Sequence, residues 1–210
     1  HIIKTLCVWQ CPEEINFDVL PNQFVLKCSH DSGGVVICKD KTTLNKEIAI
    51  EKLKRDFKKN YYSQNREYPY ASLTPRILAE QYMVDESGFE LKDYKIFCFN
   101  GEPKFFKIDF GRYTEHHANY YDLEWNLLPF DETWYPRVEN ANIRKPENFQ
   151  IMIDYARKLS EGMRFVRVDL YNVNGRIYFG ELTFFPTSGM TPFEPEEWDY
   201  KIGNYLNLKD

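Results

Sequence analysis

Asp169 and Glu181 stand twelve residues apart, each inside an apolar, strand-like run (165–171 and 177–185). Between the runs lies Asn172-Val173-Asn174-Gly175, and Asn-Gly is a strong signal for a hairpin turn. Pairing across that turn brings the two carboxylates to neighbouring positions on adjacent strands, where they repel unless a cation neutralises them. Oxygen-only ligands on rigid strands suit Mg2+, which is commonly held by one or two carboxylates with phosphates and water. The hairpin therefore reads as a seat for a magnesium–nucleotide, or else as the solvated face of a half-buried hairpin. Two details favour the first reading. Arg167 shares the face of Asp169, and Glu181 lies beside a strongly aromatic run, a costly place for an unpaired charge.

Other groups could serve the same chemistry. Lys27 ends a strand that enters the loop Ser29 to Gly34, where Ser32, Gly33 and Gly34 could turn backbone N–H groups toward phosphates. The lysine would add a point charge. An ordinary hairpin turn with a surface lysine fits the same residues, and no Walker motif is present. Leu78 to Met83 could line a base pocket, with Glu80, Gln81, Tyr82 and Met83 at its end, or form a core strand. Asp93 and Lys95 share a strand face and could contact ribose and phosphate or pair with each other. Arg112 could clamp a phosphate or carboxylate. His116 and His117, being adjacent, cannot both face one site from a strand. The small-residue loop Thr187 to Thr191 suits an acceptor site or a plain turn.

The elements that must position these groups follow from periodicity. Strands are expected at 24–28, 35–39 and 76–84, with a helix over 43–59 on Leu44, Ile48, Leu53 and Phe57. Residues 61–75 read as loop. A hairpin spans 93–110 about Asn100-Gly101, 112–145 read as irregular, and Pro146 opens a helix to about Gly162. A short terminal helix follows the acidic hairpin. Strands in antiparallel order with interposed helices make an α+β fold. The chain has 210 residues and a net charge of −5 with no basic stripe, which argues against nucleic acid. No run of 18 apolar residues and no signal-peptide pattern occurs in these 210 residues, so neither membrane insertion nor secretion is expected. The odd cysteine count (Cys7, Cys11, Cys28, Cys38, Cys98) suits reduced thiols in a cytoplasmic protein, and no second ligand pair follows Cys7 and Cys11 at zinc spacing.

In that order, the blocks Leu20 to Gly34, Pro75 to Glu80, Asp93 to Gly101, Lys145-Pro146-Glu147-Asn148, and Phe165 to Tyr171 with Phe179 to Phe184 resemble the ATP-grasp superfamily, and within it the TupA-like group of bacterial surface-polysaccharide and teichuronopeptide synthesis. The resemblance spans roughly residues 4–205. It implies two α+β lobes clamping ATP, with 1–20 a remnant of an N-terminal lobe or linker, 21–85 the small lobe and 86–210 the large lobe. It implies Lys27 on phosphate, residues 80–83 on adenine, Asp93 near ribose, Asp169 and Glu181 on Mg2+, and Arg167 on the transferred phosphoryl group. Thr183 stands where the superfamily's third metal-side ligand is usually Asn. The resemblance also implies a carboxylate–amine ligase working through an acyl phosphate on an amino-acid or glycan-precursor substrate. A glycosyltransferase, or a non-catalytic remnant that binds a partner, stays open as an alternative. Set against the resemblance, the N-terminal lobe is expected to be truncated here, and a homo-oligomer or a partner supplying that lobe is a further expectation.

Overall fold

The structure is a computed structural model that describes residues 1–112, 115–132 and 134–208. It divides into two compact units, Ile3–Tyr82 and, with His1–Ile2, Met83–Asp210.

The smaller unit holds β1 (Thr5–Trp9), β2 (Phe24–Cys28), β3 (Val35–Cys38), α1 (Lys46–Phe57), α2 (Tyr61–Asn65) and β4 (Ile77–Gln81). The strands form one sheet in the order β1-β4-β2-β3, with every pairing antiparallel. Strand alternation sends Phe24, Leu26 and Cys28 from β2, and Ile77 and Ala79 from β4, into one core with Leu53 of α1. Val25, Lys27, Leu78 and Glu80 alternate with them and so share the sheet's other face. Residues 3–20 supply β1 and the core side chains Ile15, Phe17 and Leu20 to this unit. The helix is shorter than its periodicity suggests because Asn45 caps it, accepting from the backbone N–H of Ile48. The strand expected over 76–84 stops at Gln81. The stretch read as loop carries α2, capped by Asn60 and closed by Arg66 in a left-handed conformation (φ 59°).

The larger unit holds β5 (Asp93–Phe99), β6 (Glu102–Phe110), β7 (His117–Asp122), β8 (Asp131–Glu132), α3 (Phe149–Leu159), β9 (Phe165–Val173), β10 (Arg176–Thr183), β11 (Phe193–Glu194) and α4 (Glu197–Gly203). Five strands form an antiparallel sheet in the order β10-β9-β5-β6-β7. Both tight turns are Asn-Gly with positive φ at each residue (Asn100 51°, Gly101 79°; Asn174 50°, Gly175 79°), the twist that two-residue hairpins require. One sheet face carries Tyr94, Ile96, Phe106, Ile108, Val166 and Val168 against Phe149, Met152, Ile153 and Ala156 of α3. The other face is divided. One end is aromatic, with Phe97, Phe99, Phe105 and Tyr120 packed on Phe130 and Ile202. The other end is ionic. The region expected to be irregular contributes β7, whose Ala118, Tyr120 and Tyr121 are buried. The period-two pattern there is hidden because polar Asn119 is itself buried, donating to the carbonyl of Val138.

All five cysteines are free thiols. Burial pushes Cys28 and Cys98 up to about 11, so neither is a ready nucleophile.

A turn at the start of the larger unit makes a testable contribution to stability. Asp85 accepts from the Ser87 and Lys92 backbones and from Lys92 Nζ at 2.9 Å. Burial opposes its charge, but the bonds from Ser87 and Lys92 outweigh burial and hold the carboxyl below its ordinary value. A depressed carboxyl contributes stability that is complete above its unfolded value, about 3.9, and fades as pH falls through its folded value. Asp85→Asn is expected to cost about 3 kcal/mol at neutral pH in urea melts. The gap from wild type should narrow on acidification below about pH 4. A gap independent of pH would contradict this role.

Candidate active site

In the smaller unit, Lys27 Nζ meets Glu80 Oε2 at 2.7 Å on the sheet face away from the core. Register makes this contact diagonal, since Val25 lies opposite Glu80 and Lys27 opposite Leu78. The loop after β2 is tied at both ends. Cys28 N–H donates to the Gly34 carbonyl, Ser29 and Arg76 exchange two hydrogen bonds, and His30 Nε2 lies 2.9 Å from the Phe57 carbonyl oxygen. Ser32 and Gly33 are exposed at its tip, and a Cβ on Gly33 would meet nothing within 4 Å. Gly34 differs. It is buried, and a Cβ there would lie 2.9 Å from Cys28 Sγ and 3.0 Å from Asp56 Cβ, so packing explains its missing side chain. Gln81 and Tyr82 border a cavity of about 520 Å³ with Lys4, Leu6 and Asn22. Met83 opens the larger unit.

In the larger unit, the ionic end of the sheet gathers most of the remaining sequence-predicted groups. Asp169 lies directly opposite Glu181. A simple two-residue turn would have set Asp169 against Gly180 and turned Glu181 to the other face. A β-bulge between Phe179 and Glu181 shifts the register by one and restores Glu181. Gly180 permits the bulge, because a Cβ there would lie 2.9 Å from the Asp169 carbonyl oxygen. Asp169 is almost wholly buried, and Lys95 Nζ donates to its Oδ2 at 2.7 Å. Arg167 grips both carboxylate oxygens, Nε to Oδ1 and Nη2 to Oδ2, each at 2.7 Å. The same Nη2 reaches Thr183 Oγ1 at 2.9 Å and Glu181 Oε1 at 3.3 Å. Three oxygens of three side chains thus converge on one cationic nitrogen. Thr183 donates its hydroxyl to Glu181 at 2.8 Å, and the glutamate stays 57 % exposed. Among the described residues, no three His, Cys, Asp or Glu side chains gather as a metal site. The donor set here is two carboxylates and a hydroxyl, all oxygen, around a point that a cation already holds. That fits a hard divalent ion such as Mg2+.

Asp93 completes the cluster. Its Oδ2 accepts from Lys95 at 2.6 Å and Arg112 at 3.0 Å, while its Oδ1 is buried with no hydrogen-bond partner among the described residues. An unpartnered buried acceptor is costly and suits a donor from a ligand, such as a sugar hydroxyl. Burial alone would lower the Lys95 pKa, but Asp93 and Asp169 outweigh it and the ammonium is held charged. Arg112 is likewise engaged by Asp93 and Asp109.

The sequence profile of the family described as TupA-like ATPgrasp matches residues 1–207. The chain belongs to the TupA-like ATPgrasp family. Its fold is accordingly ATP-grasp and α+β. Solved structures with likeness to this TupA-like ATPgrasp chain include D-alanine–D-alanine ligase from Bacillus anthracis complexed with ATP (16 % identity, 89 % of this chain, 49 % of that chain, TM-score 0.45). They also include the D-cycloserine synthetase DcsG (14 %, 90 % and 59 %, 0.44) and Cdc123 from Schizosaccharomyces pombe (10 %, 92 % and 71 %, 0.48). The chain spans about half the length of the D-alanine–D-alanine ligases it resembles. A search of curated proteins found no match.

In this TupA-like ATPgrasp chain the ionic cluster extends beyond the residues that sequence reasoning singled out. Lys107 donates to Glu132 at 2.7 Å, and Asp109 takes Arg112 at 3.1 Å and His116 at 3.3 Å. Burial would raise the Asp109 carboxyl, but His116 and the surrounding cations hold it well below the usual range. A signal for these residues exists in the register. Asp93 lies opposite Asp109 and Lys95 opposite Lys107, two like-charge cross-strand pairs that are unfavourable unless counter-charges intervene. His116 and His117 point to different partners, the second to the carbonyl of Pro136. After β10, Thr187, Ser188 and Gly189 are all left-handed (φ 47°, 57° and 69°), and Met190 is 82 % exposed. A β-branched threonine in that region is strained.

Proposed function

We propose that this chain is an ATP-dependent carboxylate–amine ligase of bacterial cell-surface polysaccharide biosynthesis. The observation that carries the reading is the convergence of Asp169, Glu181 and Thr183 on one cationic nitrogen, in a chain of an ATP-grasp family. Bound Mg·ATP would supply a γ-phosphoryl group, which a substrate carboxylate takes up as an acyl phosphate before an amine displaces the phosphate and closes an amide.

The chain's own residues bind, orient and neutralise. Asp169 and Glu181, with Thr183, hold the divalent ion. Lys27 places a positive charge for the phosphates, and exposed Gly33 offers a backbone N–H beside Gly34, while the Ser32 N–H is held by Asp31 Oδ1 at 2.9 Å and Ser32 would act through its hydroxyl. Glu80, Gln81, Tyr82 and Met83 receive the adenine, and Asp93 Oδ1 accepts a ribose hydroxyl. Arg167, Lys95 and Arg112 stabilise the charge that builds on the transferred group, a role that positioned cations fill in phosphoryl transfer. The strained loop at Thr187–Gly189 borders the acceptor, an amino acid or glycan precursor. The support for the substrate class is the family alone.

Calorimetric titration of the chain with ATP tests the reading. Saturable binding is expected with MgCl2 present and about tenfold or more weaker binding with EDTA. A nucleotide-sugar in place of ATP should not bind, which separates the ligase from a glycosyltransferase. Absence of ATP binding under both conditions would overturn the proposal.

A further inference from the structure

The point shared by Asp169, Glu181 and Thr183 is held by Arg167. Its Nη2 lies 2.7 Å from Asp169 Oδ2, 2.9 Å from Thr183 Oγ1 and 3.3 Å from Glu181 Oε1, while Nε takes Asp169 Oδ1 at 2.7 Å. Lys95 also reaches Asp169 Oδ2, at 2.7 Å, but its other hydrogen bond goes to Asp93, and among the described residues it bonds neither Glu181 nor Thr183. Arg167 is therefore the cation that spans all three side chains assigned to the divalent ion.

That grip decides what else can enter. Oδ2 of Asp169 already accepts from two cations and Oδ1 from one, and the side chain is 1 % exposed. A divalent ion on this carboxylate needs the guanidinium either beside it or gone. A guanidinium cannot shed its proton to make room. Beside the ion it would set one positive charge against two in a buried place, where repulsion is strong. Moving it away unaided would strand a cation whose side chain is only 12 % exposed. A phosphate reverses that balance, because it gives the planar fork an anionic, bidentate partner. The bonds of Arg167 use Nε and Nη2 alone, so Nη1 has no protein partner among the described residues and is available to such a group. Release of the carboxylates and capture of a phosphate are then one exchange.

We propose that Arg167 is the specificity-determining residue of this seat: it excludes a free divalent cation and admits the metal–nucleotide complex, by passing from the carboxylates to a phosphate. The proposal rests on the ATP-dependent reading above. It makes metal and nucleotide binding cooperative, and that coupling is reciprocal.

Calorimetric titration of the full chain with MnCl2 alone, and with ATP in saturating MnCl2, tests it. The wild-type chain should bind Mn·ATP but take MnCl2 alone only weakly. Arg167→Gln should bind MnCl2 alone about tenfold or more tightly than wild type, and Mn·ATP about tenfold or more weakly. Opposite signs are the decisive readout, since general damage to the site would weaken both. Arg167→Lys keeps the charge but not the fork, and its gain for MnCl2 alone should fall between the two. MnCl2 affinity equal in wild type and Arg167→Gln, with Mn·ATP still bound by wild type, would overturn the role of Arg167 and leave the ATP reading standing. No Mn·ATP binding by wild type would overturn the reading itself and this proposal with it. A second measurement needs no variant. Wild-type crystals soaked in MnCl2 without nucleotide should show Arg167 in its present place and no anomalous peak between Asp169 and Glu181. A peak there would overturn the proposal.

Discussion

Asp169→Asn is expected to abolish Mg-dependent ATP binding in a chain that still folds. The carboxylate is 1 % exposed, and both its oxygens are gripped by Arg167, one of them by Lys95 as well. The amide keeps the shape and one acceptor oxygen but gives up the charge. A neutral amide is a much weaker partner for a divalent ion, so affinity for Mg·ATP should fall by about a hundredfold or more, roughly 2.7 kcal/mol. Stability should fall too, since two buried cations lose an anion. About 3 kcal/mol is the expected cost. It is limited because Asp93 still holds Lys95 and Glu181 still holds Arg167. Calorimetry on the folded variant, with a urea melt as control, separates the two effects. Unchanged Mg·ATP affinity would remove Asp169 from the site.

Gly180→Ala should damage the same site without touching a ligand. The bulge between Phe179 and Glu181 is what sets Glu181 against Asp169. An added Cβ would meet the Asp169 carbonyl oxygen at 2.9 Å and the Tyr171 ring at 3.2 Å. The first contact is backbone and cannot swing aside. Either the strands part locally, at about 1–3 kcal/mol, or the bulge is lost and the register slips. A slip by one residue turns Glu181 to the opposite face. Both routes predict weaker Mg·ATP binding along with lower stability. Gly203→Ala, at the end of α4, is the control, since its Cβ would meet nothing within 4 Å. Equal stability and affinity in Gly180→Ala and wild type would show that the bulge does not position the carboxylates.

Much of the fold can be read along the chain because its turns are chemically explicit. Asn100-Gly101 and Asn174-Gly175 force their hairpins, and the alternation of β2 and β4 places Lys27 and Glu80 on one face. The site is less legible, for three physical reasons. The bulge at Gly180 has no periodic signature. Counting from the turn alone puts Glu181 on the wrong face, and only the structure restores it. The roles of Lys107, Asp109 and Glu132 depend on counter-charges brought from distant strands, although the like-charge register of β5 and β6 hints at them. Gly34 looks like its neighbour Gly33 in sequence, yet one is buried against Cys28 and Asp56 and the other is open. β7 was unreadable because its buried Asn119 breaks the apolar alternation.

The family membership of the chain stands on the profile match over residues 1–207. The chemistry stands on whether a divalent ion takes the place now filled by Arg167 Nη2. Crystals of the chain grown with ADP and MgCl2 test this most directly. The account expects an ion ligated at about 2.1 Å by oxygens of both Asp169 and Glu181 and by the nucleotide's phosphates. Nucleotide bound with its ion held by phosphates and water alone, while Arg167 keeps its grip on Asp169, Glu181 and Thr183, would contradict it.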